Sequence, residues 1–233
     1  MANEASVGGF FSETLSLVRD KLTEVGIYVV VVGGLAAAGY VFGLADPTAA
    51  LFGLGFSIDA NDGPAKALFG LVSAVVNVVA GYWLLTQYLA VRGRLLGSSR
   101  FWPYVGMSIL STIGIVFGFI LLIVPGIILT IRWSAASGFL VGQREGVTDA
   151  LGASWQATKG HSWPIFFAAI LMFLAVAVAG GIVGGVLGAI GELPGAIASA
   201  FVEAAAGAVF IAFGIAIFCL VADDTEQLAQ TFA

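Results

Sequence analysis

Six long apolar runs constrain the fold of this chain more than any other feature. Each is about as long as an α-helix must be to cross the hydrocarbon core of a bilayer. Apolar residues do not alternate within them with a period of two, which excludes the strands of a transmembrane barrel. The sequence therefore predicts an all-α fold, a polytopic transmembrane helical bundle of about six spans, at 27–44, 66–91, 102–124, 126–142, 163–190 and 194–221.

The composition of the chain supports the same class. The chain is 60% apolar and only 10% charged, whereas soluble domains average about 25% charged residues. That leaves too little polar surface to cover a water-soluble protein of this length. The first residues lack the basic start and the cleavage site of a signal peptide. We therefore expect the first apolar run to remain in the mature protein.

The rarity of reactive side chains limits the chemistry that the chain can perform. One cysteine, Cys219, excludes an intrachain disulfide, and one histidine, His161, excludes a histidine-based metal site. The sequence has no nucleophile elbow, no metal-ligand spacing and no phosphate-binding loop. We therefore predict a protein that is not an enzyme, that has no cofactor or metal, and that has no nucleic-acid partner.

Two amphipathic segments and a tail accompany the spans. Segment 1–26 is predicted to form an N-terminal helix, because apolar residues recur there at steps of four and three. This helix is interpreted as lying on the membrane or against the bundle, with a partner-binding helix as the alternative. Segment 147–158 is predicted as a short surface helix, and 222–233 as an acidic cytoplasmic tail. The residues of the N-terminal apolar face are Phe11, Leu15, Val18, Leu22 and Val25.

The placement of basic residues predicts the orientation of the chain. Six spans put both termini on one side of the membrane, and cytoplasmic segments carry an excess of Lys and Arg. Both termini are therefore predicted to be cytoplasmic. The segment 126–142 is short and charged, so a re-entrant hairpin there is left open as the alternative. The basic residues on the inner side are then Arg19, Lys21, Arg92, Arg94, Arg100, Arg144 and Lys159, against Lys66 on the outer side.

Two hairpins of the chain echo each other in sequence. A Trp-Pro pair opens the third and the fifth span, and a Pro-Gly pair follows each of them as a predicted turn. An intramembrane charge then follows each turn. Both a duplicated hairpin and the ordinary preferences of Trp and Pro at helix ends explain the pattern. The residues are Trp102-Pro103, Pro125-Gly126 and Arg132 in one hairpin, and Trp163-Pro164, Pro194-Gly195 and Glu203 in the other.

Three residues form a candidate intramembrane polar site: Arg132, Glu203 and Asn77. At 1.5 Å per residue, Arg132 lies roughly 9 Å and Glu203 roughly 13 Å from the start of its span, so long side chains could meet. One interpretation is a structural ion pair. A second is an anion site in which Arg132 receives a lipid phosphate, and a third has Arg132 reaching to the outer interface. Asn77 is predicted to hydrogen-bond between helices.

The central part of the chain resembles a known family. The matching residues are Pro125, Gly126, Arg132, Gly146, Ala150, Leu151, Ser154, Trp155, Thr158, Lys159, Gly160 and Trp163. They resemble the bacterial glycerophosphoryl diester phosphodiesterase membrane-domain family and its stand-alone uncharacterised six-span relatives. The resemblance implies a multi-pass protein of the bacterial cytoplasmic (inner) membrane. It does not imply phosphodiesterase activity, because in the fused proteins the hydrolase is a separate soluble barrel.

Two hypotheses of function follow from these features. The first is a non-enzymatic membrane scaffold or partner-binding protein, with a protein partner at the cytoplasmic surface helices. The alternative is a small transporter or lipid-handling protein for a phosphate-bearing lipid or glycerophosphodiester, with an anionic phospholipid as its partner in the bilayer. A polar cavity lined by Arg132, Glu203 and Asn77 would favour the alternative.

Overall fold

The computed structural model describes residues 5–45 and 63–231, with 223–231 as backbone alone. Over these residues the chain is helical and has no strand, which confirms the predicted all-α class. The helices are α1 Val7–Asp20, α2 Leu22–Val41, α3 Pro64–Val91, α4 Phe101–Leu121, α5 Ile123–Arg132, α6 Ala136–Gly142, α7 Val147–Ala157, α8 Ser162–Gly188 and α9 Glu192–Thr231.

Six helical segments are long and apolar enough to cross a membrane. They coincide with the six predicted runs to within a few residues, so the description as a multi-pass membrane protein is confirmed at this level. The segments are Leu22–Val41, Pro64–Val91, Phe101–Leu121, Ile123–Gly142, Ser162–Gly188 and Glu192–Ala222.

Both ends of the chain differ from the predicted boundaries. Helix α2 begins at Leu22, directly after a one-residue break at Lys21, rather than at residue 27. The Lys21 ammonium binds Glu24 at 2.7 Å, which ties the break to the first turn of α2. Helix α9 continues to Thr231, so the predicted tail begins as helix. Residues 232–233 lie outside the described residues.

The turn between α4 and α5 lies at Leu122, which is extended, and not at the predicted Pro125-Gly126. Pro125 is the third residue of α5, where a missing N–H breaks no helical hydrogen bond. Gly126 is buried against α4, and a Cβ added to Gly118 would lie 3.1 Å from the Gly126 Cα. The glycines therefore permit the close approach of the two helices, and the proline fits inside the helix rather than ending one.

The fourth span is broken in the middle. Helix α5 ends at Arg132 and α6 begins at Ala136. The Ser134 hydroxyl donates to the Ile131 carbonyl at 2.7 Å, which satisfies a carbonyl that the helix end leaves free. Gly138 of α6 packs against the ring of Phe218 on α9, so the second half of this span is buried.

The chain divides into two compact units. Unit 1 comprises Met1–Asp20, Leu85–Met172 and Ile211–Ala233, and unit 2 comprises Lys21–Leu84 and Phe173–Phe210. Phe10, Leu17, Tyr88, Leu140 and Phe218 are fully buried within unit 1. In unit 2, Gly33 of α2 lies against Phe201 of α9, and Gly180 of α8 against Val202. The candidate polar residues are therefore shared between the units, with Arg132 in unit 1 and Asn77 and Glu203 in unit 2.

The two hairpins with similar sequences, α4–α5 and α8–α9, also share their local structure. In α4 and α8 the Trp is the second residue and the Pro the third, and both Trp side chains are exposed. In α5 and α9 the Pro is the third residue and the Gly the fourth. That Gly approaches the preceding helix closely in both, Gly126 at Gly118 and Gly195 at Gly188. This shared packing favours a duplicated hairpin over a coincidence of helix-end preferences.

Candidate functional site

Helix α7 positions Arg132. Arg132 Nη1 donates to the Trp155 carbonyl at 3.4 Å, and the guanidinium carbon lies 5.4 Å from the centre of a Trp155 ring. The Ser154 hydroxyl donates to the Arg132 carbonyl at 2.7 Å. As the last residue of α5, Arg132 also lies at the negative end of that helix dipole. Arg132 is thus held by a ring, a carbonyl and a helix end.

The sequence of α7 explains why this helix can hold Arg132. Ala150, Leu151 and Ser154 are buried. Ser154 follows Ala150 by four residues and Leu151 by three, so the three side chains share one helical face. The helix starts after Gly146, with Asp149 in its first turn, where a carboxylate favours the helix dipole. It ends at Thr158, whose hydroxyl donates to the Ser154 carbonyl at 2.8 Å.

The structure brings together three of the residues that carry the family resemblance. Ser154 and Trp155 of α7 contact Arg132 of α5, and Ala150 and Leu151 are buried on the same helix as Ser154. In the turn after α7, Lys159 is exposed and Gly160 has a φ of 86°, which favours glycine. Pro125 and Gly126 lie at the other end of α5, against α4.

The guanidinium of Arg132 is only partly satisfied. Arginine has five N–H donors, and the contact to Trp155 uses one of them. Among the side chains that the structure describes in unit 1, up to residue 222, no carboxylate lies within salt-bridge distance of Arg132. A charge in hydrocarbon costs about 2.5 kcal/mol or more. The cation–π contact offsets only part of that cost, about 0.5–2 kcal/mol.

A second arginine in unit 1, Arg92, has the opposite environment. It follows α3 and binds three side chains of α1: Nε donates to Glu13 at 2.6 Å, Nη1 to Asp20 at 2.8 Å and Nη2 to the Ser16 hydroxyl at 2.8 Å. The hydrogen bond from Arg92 lowers the pKa of Asp20. Burial acts to lower the pKa of Arg92, but the hydrogen bonds to Asp20 and Glu13 outweigh it and raise that pKa.

Sequence reasoning missed the Arg92 cluster. The signal available was the spacing of Glu13, Ser16 and Asp20, which places three polar groups on one face of α1. The predicted apolar face of the same helix is not its buried face. Phe10, Thr14 and Leu17 are buried, whereas Leu15 and Leu22 of the predicted stripe are exposed.

The other two candidate polar residues lie in unit 2. The Asn77 amide donates to the Ser73 carbonyl of its own helix at 3.0 Å, rather than to another helix as predicted. Glu203 is exposed on α9 and interacts electrostatically with Tyr40 of α2. Because Arg132 belongs to unit 1, its pairing with Glu203 stays a prediction.

Potential metal ligands do not cluster in the described part of the chain. Among the side chains that the structure describes, at 5–45 and 63–222, no group of three or more His, Cys, Asp or Glu could hold a metal ion. The one cysteine, Cys219, is buried in α9. The polar features that the structure brings together are therefore the two arginine environments.

Comparison of the chain with family models, with curated proteins and with solved structures found no match.

Proposed function

We propose that the protein is a non-enzymatic membrane scaffold that binds a transmembrane partner helix along one face of α8. The observation that carries this proposal is an exposed glycine pair, Gly181 and Gly185, on a helix whose neighbouring glycines are already packed. In keeping with the family resemblance, we place the protein in the bacterial cytoplasmic membrane with both termini in the cytoplasm.

One row of glycines on α8 packs against α9. A Cβ added to Gly180 would lie 2.9 Å from Val202, and one added to Gly184 would lie 3.5 Å from the Ser199 hydroxyl. Gly188 lies against Gly195 at the start of α9. Gly180 and Gly184 of α8, with Gly195 of α9, therefore let the two helices approach closely.

The second row of glycines has room for another helix. A Cβ at Gly181 or Gly185 would meet nothing within 4 Å. The large side chains around them are open as well, with Val178 60%, Ile182 61% and Val186 63% exposed. Glycines four residues apart in an apolar helix favour helix–helix contact in a bilayer, because they let the two backbones approach. The same packing that joins α8 to α9 is therefore available to a partner on this face.

The test is site-specific photo-cross-linking in native membranes, with a photoreactive amino acid at Ile182. We expect an adduct between this position and a second protein chain. That adduct should be largely lost in the double variant Gly181→Leu/Gly185→Leu, because the larger side chains hold the backbones apart. The matched control is Gly106→Leu on α4, where a side chain also meets open space.

The size of the adduct identifies the partner. An adduct with twice the mass of the chain indicates a second copy, and another mass indicates a different membrane protein. Adducts to lipid alone, or a protein adduct that the double variant leaves unchanged, would overturn the proposed face.

A further inference from the structure

Arg132 has donors that its own unit does not use. One N–H of its guanidinium reaches the Trp155 carbonyl, at a long 3.4 Å, and the ring of Trp155 lies beside the cation. The remaining N–H groups have no acceptor among the residues of unit 1 whose side chains the structure describes. The side chain is half-buried rather than sealed, so a ligand could reach it.

The contrast with Arg92 shows what the Arg132 environment lacks. Arg92 lies outside the spans, where water could solvate it, yet it binds two carboxylates and a hydroxyl at 2.6–2.8 Å. Arg132 lies within the span Ile123–Gly142, where charge is far more costly, and it has a ring and a carbonyl instead. No described side chain of unit 1 supplies Arg132 with an anion.

An apolar track leads along α5 to the guanidinium. Val124, Ile128 and Arg132 are spaced by four residues and therefore share one face of the helix. Val124 is 65% exposed and Ile128 44% exposed. A ligand with a charged group at Arg132 would thus lay its apolar part along these side chains, towards the turn at Leu122.

We propose that Arg132, held against Trp155, binds the phosphate group of a membrane lipid whose acyl chain lies along Ile128 and Val124. The planar guanidinium matches phosphate because it donates two parallel hydrogen bonds to two of its oxygens. Inorganic phosphate offers the same oxygens, but the apolar track favours a lipid as the source. This site is independent of the partner-binding face of α8, because it uses α5 and α7.

The test is native mass spectrometry of the purified full-length protein with added phosphatidylglycerol. Diacylglycerol serves as the probe with acyl chains but no phosphate. We expect phosphatidylglycerol to bind and diacylglycerol not to bind. Arg132→Gln should weaken phosphatidylglycerol binding by about tenfold or more, because it removes charge-assisted hydrogen bonds. Arg19→Gln, at an exposed position on α1, should bind as the wild type does.

A second variant keeps the test decisive if Arg132→Gln fails to fold. Ile128→Glu places a carboxylate one turn before Arg132, in the orientation that favours pairing within a helix. That carboxylate should occupy the guanidinium and exclude the lipid while keeping the charge satisfied. Ile128→Gln is the matched control: it loses the same apolar contact but adds no charge that could occupy the guanidinium, so it should bind the lipid more strongly than Ile128→Glu.

Three outcomes would overturn the inference. Equal binding of phosphatidylglycerol to the wild type, Arg132→Gln and Ile128→Glu would show that Arg132 is not the receptor. Equal binding of diacylglycerol would show that the phosphate is not recognised. Complete displacement by millimolar inorganic phosphate would show that the ligand is a free anion rather than a lipid.

Discussion

At the scale of single residues, the loop between α6 and α7 holds two charged residues, Arg144 and Glu145, in conformations or surroundings that are unfavourable for stability. Arg144 adopts a φ of 61°, which is uncommon for a residue other than glycine. It donates to the Leu96 carbonyl at 2.9 Å and to the Ser98 carbonyl at 3.3 Å, and so ties this loop to the one between α3 and α4. Next to it, Oε2 of Glu145 is buried and has no hydrogen-bond partner among the described residues.

Replacing Glu145 by Gln is expected to stabilise the protein at neutral pH. Burial, and then the charge of Asp149, raise the pKa of Glu145. A carboxyl group with a raised pKa favours folding when it is protonated. Its contribution is present below its ordinary value of 4.5 and is lost as the pH rises through the raised pKa. Because solvent screens the group, we expect a gain below about 1 kcal/mol, measured as a higher Tm at pH 7.

The pH dependence provides the control for Glu145. The advantage of Glu145→Gln over the wild type should shrink as the pH falls through the raised pKa and should be lost below about pH 4.5, because the wild-type carboxyl is then neutral as well. Asp149→Asn should give no comparable gain, since it also removes the acidic side chain in the first turn of α7. A lower or unchanged Tm of Glu145→Gln at pH 7 would contradict this account.

At the scale of elements, α1 is held by a buried face and by polar contacts to Arg92. Phe10, Thr14 and Leu17 are buried in unit 1, and Glu13, Ser16 and Asp20 hold Arg92. The exposed side of the helix carries Leu15, which suits contact with acyl chains at the membrane surface. The polar cluster therefore helps to fix which face of α1 is buried and which is exposed.

Arg92→Gln is expected to loosen α1 without unfolding the rest of unit 1. Glutamine cannot bind two carboxylates and a hydroxyl together, and Glu13 would keep a partly buried charge without its partner. Hydrogen exchange of the α1 amides should accelerate by about tenfold, while exchange in α7 stays unchanged. Arg144→Gln is the matched control, because that arginine contacts loop carbonyls rather than α1.

The pH response of α1 follows from the same contacts. The pKa of Asp20 is lowered, so its contribution is complete above its ordinary value of 3.8 and is lost as the pH falls below that value. Exchange of the α1 amides in the wild type, corrected for intrinsic rates, should therefore be constant from pH 8 to about pH 5. An increase in exchange within that pH range, or unchanged exchange in Arg92→Gln, would show that the contacts of Arg92 do not hold α1.

The sequence predicted where the spans lie but not how they are interrupted. Hydropathy marks the apolar runs because it sums over many residues, and all six recur in the structure. It is insensitive to a backbone break, so the gap at 133–135 and the turn at Leu122 left no signal. Pro125 misled the prediction because proline fits the first turn of a helix as well as a loop.

The candidate site was predictable in part. The resemblance grouped Arg132 with Ser154 and Trp155, and the structure brings these three together. The sequence could not show which donors of Arg132 remain unused, because that depends on the distance between α5 and α7. Nor could it connect Arg92 with Glu13, since the two are 79 residues apart and no local pattern joins them.

At the scale of the whole molecule, the fourth span decides the topology of everything after it. Helix α5 has 10 residues and α6 has 7, which correspond to roughly 15 Å and roughly 10 Å of helix. Together with the three residues between them, they approach the ~30 Å thickness of the hydrocarbon core. We therefore expect Ile123–Gly142 to cross fully, despite the break at Arg132.

Labelling of single cysteines in intact cells with a membrane-impermeant maleimide tests this topology. In a Cys219→Ala background, the reporter positions are Ser98, Gln156 and Ala189, all exposed. With six crossings and cytoplasmic termini, Ser98→Cys and Gln156→Cys should be protected until the cells are permeabilised. Ala189→Cys, between α8 and α9, should be labelled from outside. Ser98→Cys also serves as the control for membrane integrity, because it precedes the fourth span.

A re-entrant fourth span would give a different pattern. With only five crossings, Gln156→Cys would become accessible from outside and Ala189→Cys protected, while Ser98→Cys would not change. Arg144 and Lys159 would then lie outside the cell, against the excess of positive charge expected in cytoplasmic segments. Labelling at Gln156 would therefore reject the full crossing. Protection at Gln156 with labelling at Ala189 would place α7, and with it the Trp155 that holds Arg132, on the cytoplasmic side.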